Sequence, residues 1–228
     1  DDLEDFLPEF LGRVLENQAR RAAPVLPPGP FPVANQRALA RQLMVALGFD
    51  FEHGRLDESR HPFCGGVPDD VRITTRYDED DFTSSLMAVL HETGHALYER
   101  GLPPAWRHQP VGRARSMSIH ESQSLLIEMQ VCRSRPFLDF AAPLIGRAFG
   151  GAGEAWDDDN LYRLLTRVEP GLIRVDADEV TYPAHVIVRY GIEKAIIGGT
   201  LEAAEIPGAW NEGMKRLLGI TPPGDGDG

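Results

Sequence analysis

The sequence predicts a mainly α-helical fold with one small β element. Apolar residues recur at three- and four-residue steps through most of the chain, the signature of amphipathic helices. From Gly48 to Asp81 that period is lost, and "DVRITTRY" alternates and is rich in β-branched residues, as a short strand does. The 228 residues, 42% of them hydrophobic, suffice to bury a sizeable core. A single unit over residues 1–228 is expected.

Taken in order, "LEDFLPEFLGRVLENQARRA" and "VANQRALARQLMVALG" read as helices. Between them "PVLPPGPFP", residues 24–32, reads as a stiff extended connector, because proline fixes φ and removes a donor. The strand in "DVRITTRY" has "GRLDES" as a candidate pairing partner. A helix follows from about Phe82 to Arg100, with the acidic run Asp78 to Asp81 suiting its positive end and Gly101 as its stop. Past a Gly- and Pro-containing loop, a long helical pattern starts near Ser118 and runs into the 140s. Shorter helices are expected in "DNLYRLLTRV", "EVTYPAHVIVRYGIEKAII" and "PGAWNEGMKRLLG". The tail "TPPGDGDG", residues 221–228, has a composition that cannot pack, and both ends look trimmed.

Charge narrows the function classes. With 35 acidic against 23 basic residues the formal charge is -12, which argues against a nucleic-acid partner. Cys64 and Cys132 are far apart and form no CxxC pair, so free thiols and a reducing, cytoplasmic setting are expected. No apolar stretch approaches the ~18 residues of a membrane span, and no membrane partner is expected.

The chemistry is concentrated in "AVLHETGHALYER". On a helix, His91 and His95 stand one turn apart on one face and can grip a single cation, while Glu92 can reach a water on it. Zinc hydrolysis needs two neutral imidazoles, a third protein ligand, an open position for water and a carboxylate to take its proton. A random chain of this composition would contain roughly 0.02 such matches. The competing reading is two satisfied histidines on a partly buried helix. Gly94 costs about 1 kcal/mol against alanine within a helix, so a close approach by another backbone or by a ligand is its expected reason.

The third ligand must come from elsewhere. Glu121 in "SIHESQSLL" follows a loop long enough to bring a second helix alongside the first. Ser118 and Glu121 also fit a capping box, in which Glu121 would bond only backbone N–H groups. Glu99, one turn beyond His95, and Glu128, on the second helix, are rivals.

"HPFCGGVPDDVRITTRY", "HETGHALYE", "HESQSLL" and "IRVDADEVTYPAHVIVRY" resemble, in that order, the motifs of the thermostable zinc metallocarboxypeptidases of the Taq carboxypeptidase type. The resemblance covers essentially the whole chain. It implies a helical, zincin-like metallopeptidase core with a deep groove, a zinc ion (or cobalt in its place) on His91, His95 and Glu121, and Glu92 as general base. The implied reaction is removal of single C-terminal residues from peptides. Members of that family are about twice as long, so this chain is expected to be a truncated version lacking the family's Gln-Asp-x-His-Trp segment. Gly191 in "RYGIE" also stands where the family usually has glutamate.

A carboxypeptidase must hold a free carboxylate, which suits an arginine fork. Arg174 and Arg72 are the candidates, Arg72 having an ion pair with Asp69 or Asp70 as its alternative. His61, Tyr182 and His185 could line the groove, stabilise an oxyanion, or simply pack. Asp176, Asp178 and Glu179 could orient a ligand histidine or merely solvate a loop. Two rival functions remain: a non-catalytic helical remnant that binds metal, peptide or a partner subunit, and a zinc endopeptidase or aminopeptidase. A homodimer is compatible with both the carboxypeptidase and the remnant readings, since an incomplete groove exposes apolar surface.

Overall fold

The computed structural model describes residues 2–224. Its backbone contacts divide the chain into two compact units, Pro24–Leu165 and a second made of Asp1–Ala23 with Thr166–Gly228. Residues 221–224 of the expected tail form no helix or strand, and residues 225–228 of it lie outside the described residues.

Pro24–Leu165 is built on α2 (Val33–Ala46), a three-stranded sheet, α3 (Phe82–Arg100), α4 (Met117–Leu125), α5 (Arg135–Phe149) and α6 (Asp158–Leu165). The strands β1 (Gly54–Glu58), β2 (Phe63–Val67) and β3 (Asp70–Thr75) lie in the order β1-β3-β2. As the sequence suggested, "GRLDE" pairs with "DVRITT", in parallel with Leu56 opposite Ile73; β2, which sequence patterning missed, closes a hairpin on β3. Gly66 in β2 has φ +108°, and a Cβ there would strike the Asp70 carbonyl, so only glycine serves.

Helix α3 is buried on two sides. Val89 and Ala96 pack with Val71, Ile73, Leu56 and Phe49 beneath the sheet, while Leu86, Leu90 and Phe82 join Leu39, Leu43, Leu138 and Ile145 from α2 and α5. Each fully buried aliphatic side chain here contributes ~1.5–3 kcal/mol relative to exposure. Asp81 caps the helix, its carboxylate accepting from the Thr83 N–H at 2.8 Å, and Gly101 ends it.

The long helix expected from Ser118 into the 140s is not continuous. α4 passes into one π-helical segment, Leu126–Val131, and the chain then breaks before α5. Ser134 caps α5 and Pro136, in its first turn, has no N–H with which to continue a helix from upstream. Residues 24–32, expected to be a stiff connector, form no helix or strand and are tied down by side chains. Asn160 accepts from the Val25 N–H and donates to its carbonyl, both at 2.8 Å, and Phe31 is buried against Phe82, Phe149 and Trp156.

The second unit comprises α1 (Asp2–Ala19), α7 (Tyr182–Ile197) and α8 (Ile206–Leu218), packed around Leu7, Leu11, Val188, Met214 and Leu217. Gln18 ties α1 to Val168 through two 2.9 Å bonds. No helix among the described residues is long and apolar enough to cross a membrane.

Candidate metal centre

Four residues apart on α3, His91 and His95 stand with ring centroids 5.0 Å apart, planes at 81°. Both are mostly sheltered, their side chains 19% and 11% exposed. Between them Gly94 faces α4 at a separation no other residue would allow: a Cβ there would lie 2.6 Å from Ser124 Cα and 2.8 Å from the Gln123 carbonyl oxygen. The reason anticipated for this glycine, a close backbone approach, is the one observed.

That approach delivers Glu121. The cap of α4 is Ser116, whose hydroxyl accepts from the Ile119 N–H at 3.3 Å, so Ser118 and Glu121 do not form the alternative capping box. Glu121 instead turns its carboxylate to the histidines. Its Oε2 lies 3.2 Å from His95 Nε2 and 3.7 Å from His91 Nε2. Tetrahedral zinc with bonds of ~2.1 Å has ligand atoms ~3.4 Å apart, so these separations bracket the edge of such a site. His91, His95 and Glu121 offer donor atoms all within 4.8 Å of one another, the one such cluster of three or more among the described residues.

Each ring turns its other nitrogen to a different partner. His91 Nδ1 lies 2.9 Å from Glu128 Oε2, and Arg133 donates to Glu128 Oε1 at 2.7 Å and to the Leu165 carbonyl at 2.9 Å. His95 Nδ1 lies 2.7 Å from His120 Nδ1, and His120 Nε2 lies 3.4 Å from Glu99 Oε2. Glu128 and Glu99, the rivals of Glu121, therefore stand behind the imidazoles. Burial pulls the His91 pKa down, but the Glu128 hydrogen bond and the charges of Glu128, Glu121 and Glu92 outweigh it and raise it. Burial would raise Glu128, yet its bonds to His91 and Arg133 hold it below the usual carboxylate value. Glu92, buried on α3, is pushed above that value by desolvation, which outweighs the neighbouring histidines.

Two histidines and a carboxylate converging from neighbouring helices, the histidines within His-Glu-x-x-His, form the donor set of a metallopeptidase. The description "Carboxypeptidase Taq (M32) metallopeptidase" matches residues 1–228. This chain belongs to the M32 metallopeptidase family. It is 42% identical to thermostable carboxypeptidase 1 of Thermus thermophilus over 228 residues, all of this chain and 44% of that one. It is 40% identical to carboxypeptidase 1 of Bacillus subtilis over 199 residues, 87% of this chain and 40% of that one. Among solved structures, metallocarboxypeptidase 1 of Trypanosoma cruzi superposes with a TM-score of 0.92 at 48% identity, over 96% of this chain and 46% of that one. The chain thus spans less than half the length of these M32 relatives.

The remaining predicted residues belong partly to each of the two units. Arg72 is exposed on β3 and donates to Asp70 at 2.7 and 3.1 Å; since Val71 and Ile73 face α3, Arg72 projects from the opposite face of the sheet. The ion pair foreseen as its alternative is what forms. His61 is exposed, and its carbonyl accepts from the Thr74 hydroxyl at 3.2 Å. In the second unit, Arg174 donates to the Tyr182 hydroxyl at 2.9 Å, so two of the predicted groove residues do meet. His185 is fully buried on α7, and desolvation, with Arg189 nearby, lowers its pKa. Of the carboxylates considered for orienting a histidine, Asp178 accepts from the backbone N–H groups of Glu169, Val180 and Thr181, each at 2.9 Å, while Asp176 and Glu179 are exposed. The carboxylate that meets His91 Nδ1 is Glu128. Sequence reasoning assigned no role to His120 or Arg133. For His120 a signal existed: His95 and Glu99 share a helix face at i, i+4, and His120 adjoins Glu121 in the facing helix.

Proposed function

We propose that His91, His95 and Glu121 hold a zinc ion, with cobalt able to take its place, and that the chain carries the catalytic centre of a carboxypeptidase acting on peptides with a free C-terminus. The supporting observation is that both Nε2 atoms meet the same Glu121 oxygen, at 3.2 and 3.7 Å, while both Nδ1 atoms are engaged elsewhere. When bound, zinc polarises a carbonyl and acidifies a coordinated water. Glu92 accepts a proton on its carboxylate and returns it to the leaving amine; its raised pKa brings it nearer to neutral pH, where a general base is most effective. Arg174, its guanidinium steadied by Tyr182, is the group best suited to take both oxygens of a terminal carboxylate. We assign His61 and His185 no chemical step and Arg72 a surface ion pair. The acidic charge and two free thiols favour a cytoplasmic setting.

Mass spectrometry of an unstructured peptide mixed with the zinc-loaded chain tests this. Stepwise loss from the C-terminus is the expected result; internal or N-terminal cuts would assign the centre to another class of zinc peptidase. Glu92→Gln should abolish hydrolysis while still taking up one equivalent of zinc, and a variant that still cleaves removes Glu92 from its role. The second reading, a helical remnant that binds without cleaving, draws on exposed apolar residues such as Val175 at 75% and Ile197 at 79%. Such surface is also what a homodimer would cover. An intact peptide that co-purifies with the chain would favour that reading.

A further inference from the structure

We propose that His120, backed by Glu99, is a positioning residue that fixes the tautomer and ring orientation of His95; the proposal rests on the reading of His91, His95 and Glu121 as a metal centre. Two Nδ1 atoms 2.7 Å apart can share a hydrogen bond only if one carries the hydrogen and the other is bare. With a cation between His95 Nε2 and Glu121, the Nε2 lone pair of His95 goes to that ion, so His95 carries its hydrogen on Nδ1 and His120 Nδ1 accepts. Glu99 Oε2 lies 3.4 Å from His120 Nε2, an electrostatic contact that favours the tautomer with the hydrogen on Nε2. That tautomer of His120 has a bare Nδ1 to accept from His95 Nδ1, and the lone pair of His95 is left on Nε2. That is the atom 3.2 Å from Glu121, where a cation would lie.

The relay is held in place from outside. Tyr98 packs edge-on against His120, centroids 4.9 Å apart at 87°, and the Tyr98 hydroxyl accepts from the Arg115 N–H at 3.2 Å. His120 precedes Glu121 directly, so the first turns of α4 deliver both a carboxylate for the ion and the imidazole that aims its neighbour. The two histidines are thereby fixed by unlike devices. His91 faces a carboxylate braced by Arg133, whereas His95 faces a second imidazole with its carboxylate one step removed. Outer partners of this kind typically change metal affinity by about 10–100-fold when removed.

The test uses the full chain stripped of metal, with zinc alone as the probe in chelator competition and cobalt(II) as the spectroscopic reporter. His120→Leu, which cannot accept from His95, should bind zinc about 10–100-fold more weakly and alter the visible cobalt bands. His120→Asn places an amide oxygen near the position of Nδ1 and should restore affinity to within about threefold together with the wild-type bands. Folding is checked by circular dichroism; if His120→Leu does not fold, Glu99→Leu carries the test, with an expected weakening of about threefold to tenfold. Wild-type affinity and cobalt bands in a folded His120→Leu or Glu99→Leu overturn the proposal, as does a failure of asparagine to restore what leucine loses. His91→Ala separates the two levels: if wild type binds zinc no better than His91→Ala, the metal centre itself is wrong, whereas a gap between them with no effect at His120 rejects the relay alone.

Discussion

Gly94→Ala puts the approach of α3 and α4 to a quantitative test. The added Cβ would stand 2.6 Å from Ser124 Cα, 2.8 Å from the Gln123 carbonyl oxygen and 3.1 Å from Ile127 Cβ. Carbon atoms in ordinary contact are ~3.5–4.0 Å apart, so α4 must retreat by about 1 Å. The obstructing atoms are mostly backbone and cannot swing aside. Overpacking of this sort costs ~1–3 kcal/mol. Alanine returns ~1 kcal/mol through its better helix propensity. A net loss of ~0–2 kcal/mol follows, a fall in Tm of up to about 8 °C for a chain of this size. Metal binding should suffer more, because Glu121 moves with α4 and a shift of about 1 Å is several times the ~0.2 Å tolerance of a metal–ligand bond. Thermal unfolding with and without zinc, together with chelator competition, reads both effects. A Gly94→Ala protein that melts no lower and binds zinc as wild type does would refute the claim that this glycine sets the separation on which the site depends.

Glu128→Ala leaves the Arg133 guanidinium and His91 Nδ1 without their shared acceptor, and urea unfolding of the metal-free protein should show a loss of roughly 3 kcal/mol; less than 1 kcal/mol would mean the pair is solvated. Asp178→Ala removes the acceptor of three backbone N–H groups ahead of α7, and should cost ~2 kcal/mol by the same measurement. Burial pushes both Cys64 and Cys132 up to about 12. A raised thiol pKa depopulates the thiolate, so at pH 8 native labelling should be roughly three orders of magnitude slower than in denaturant, where the pKa returns to ~8.5. Rapid native labelling of either thiol would contradict its sheltering.

Much of this architecture was legible because its causes are local. The periodicities of α2, α3 and α7, the glycine at 94 and the histidine pair each follow from residues within a few turns. What escaped depends on neighbours distant in sequence. β2 is "FCGGV", whose two glycines carry no strand propensity; it exists because β3 offers an edge. The π-helical segment has no sequence mark, yet it holds Glu128, and no pattern announced that this residue, rather than the carboxylates near Asp178, meets His91. For Arg72 the sequence left a substrate anchor and an ion pair both open; strand alternation places it on the face opposite Val71 and Ile73, bonded to Asp70. Glu121 was one of several carboxylates the spacing allowed, and both the N-cap at Ser116 and the nearness of its carboxylate to His91 and His95 depend on contacts that the sequence does not display.

Helix α3 touches packed side chains along two flanks, so the frame that presents both imidazoles owes its rigidity to aliphatic contacts rather than to an ion. A chelator should therefore strip the chain without melting it, unlike small zinc modules that collapse when emptied. Were a cation held there, little of its affinity would be consumed in ordering the polypeptide, and one divalent ion would exchange for another on a scaffold that stays put.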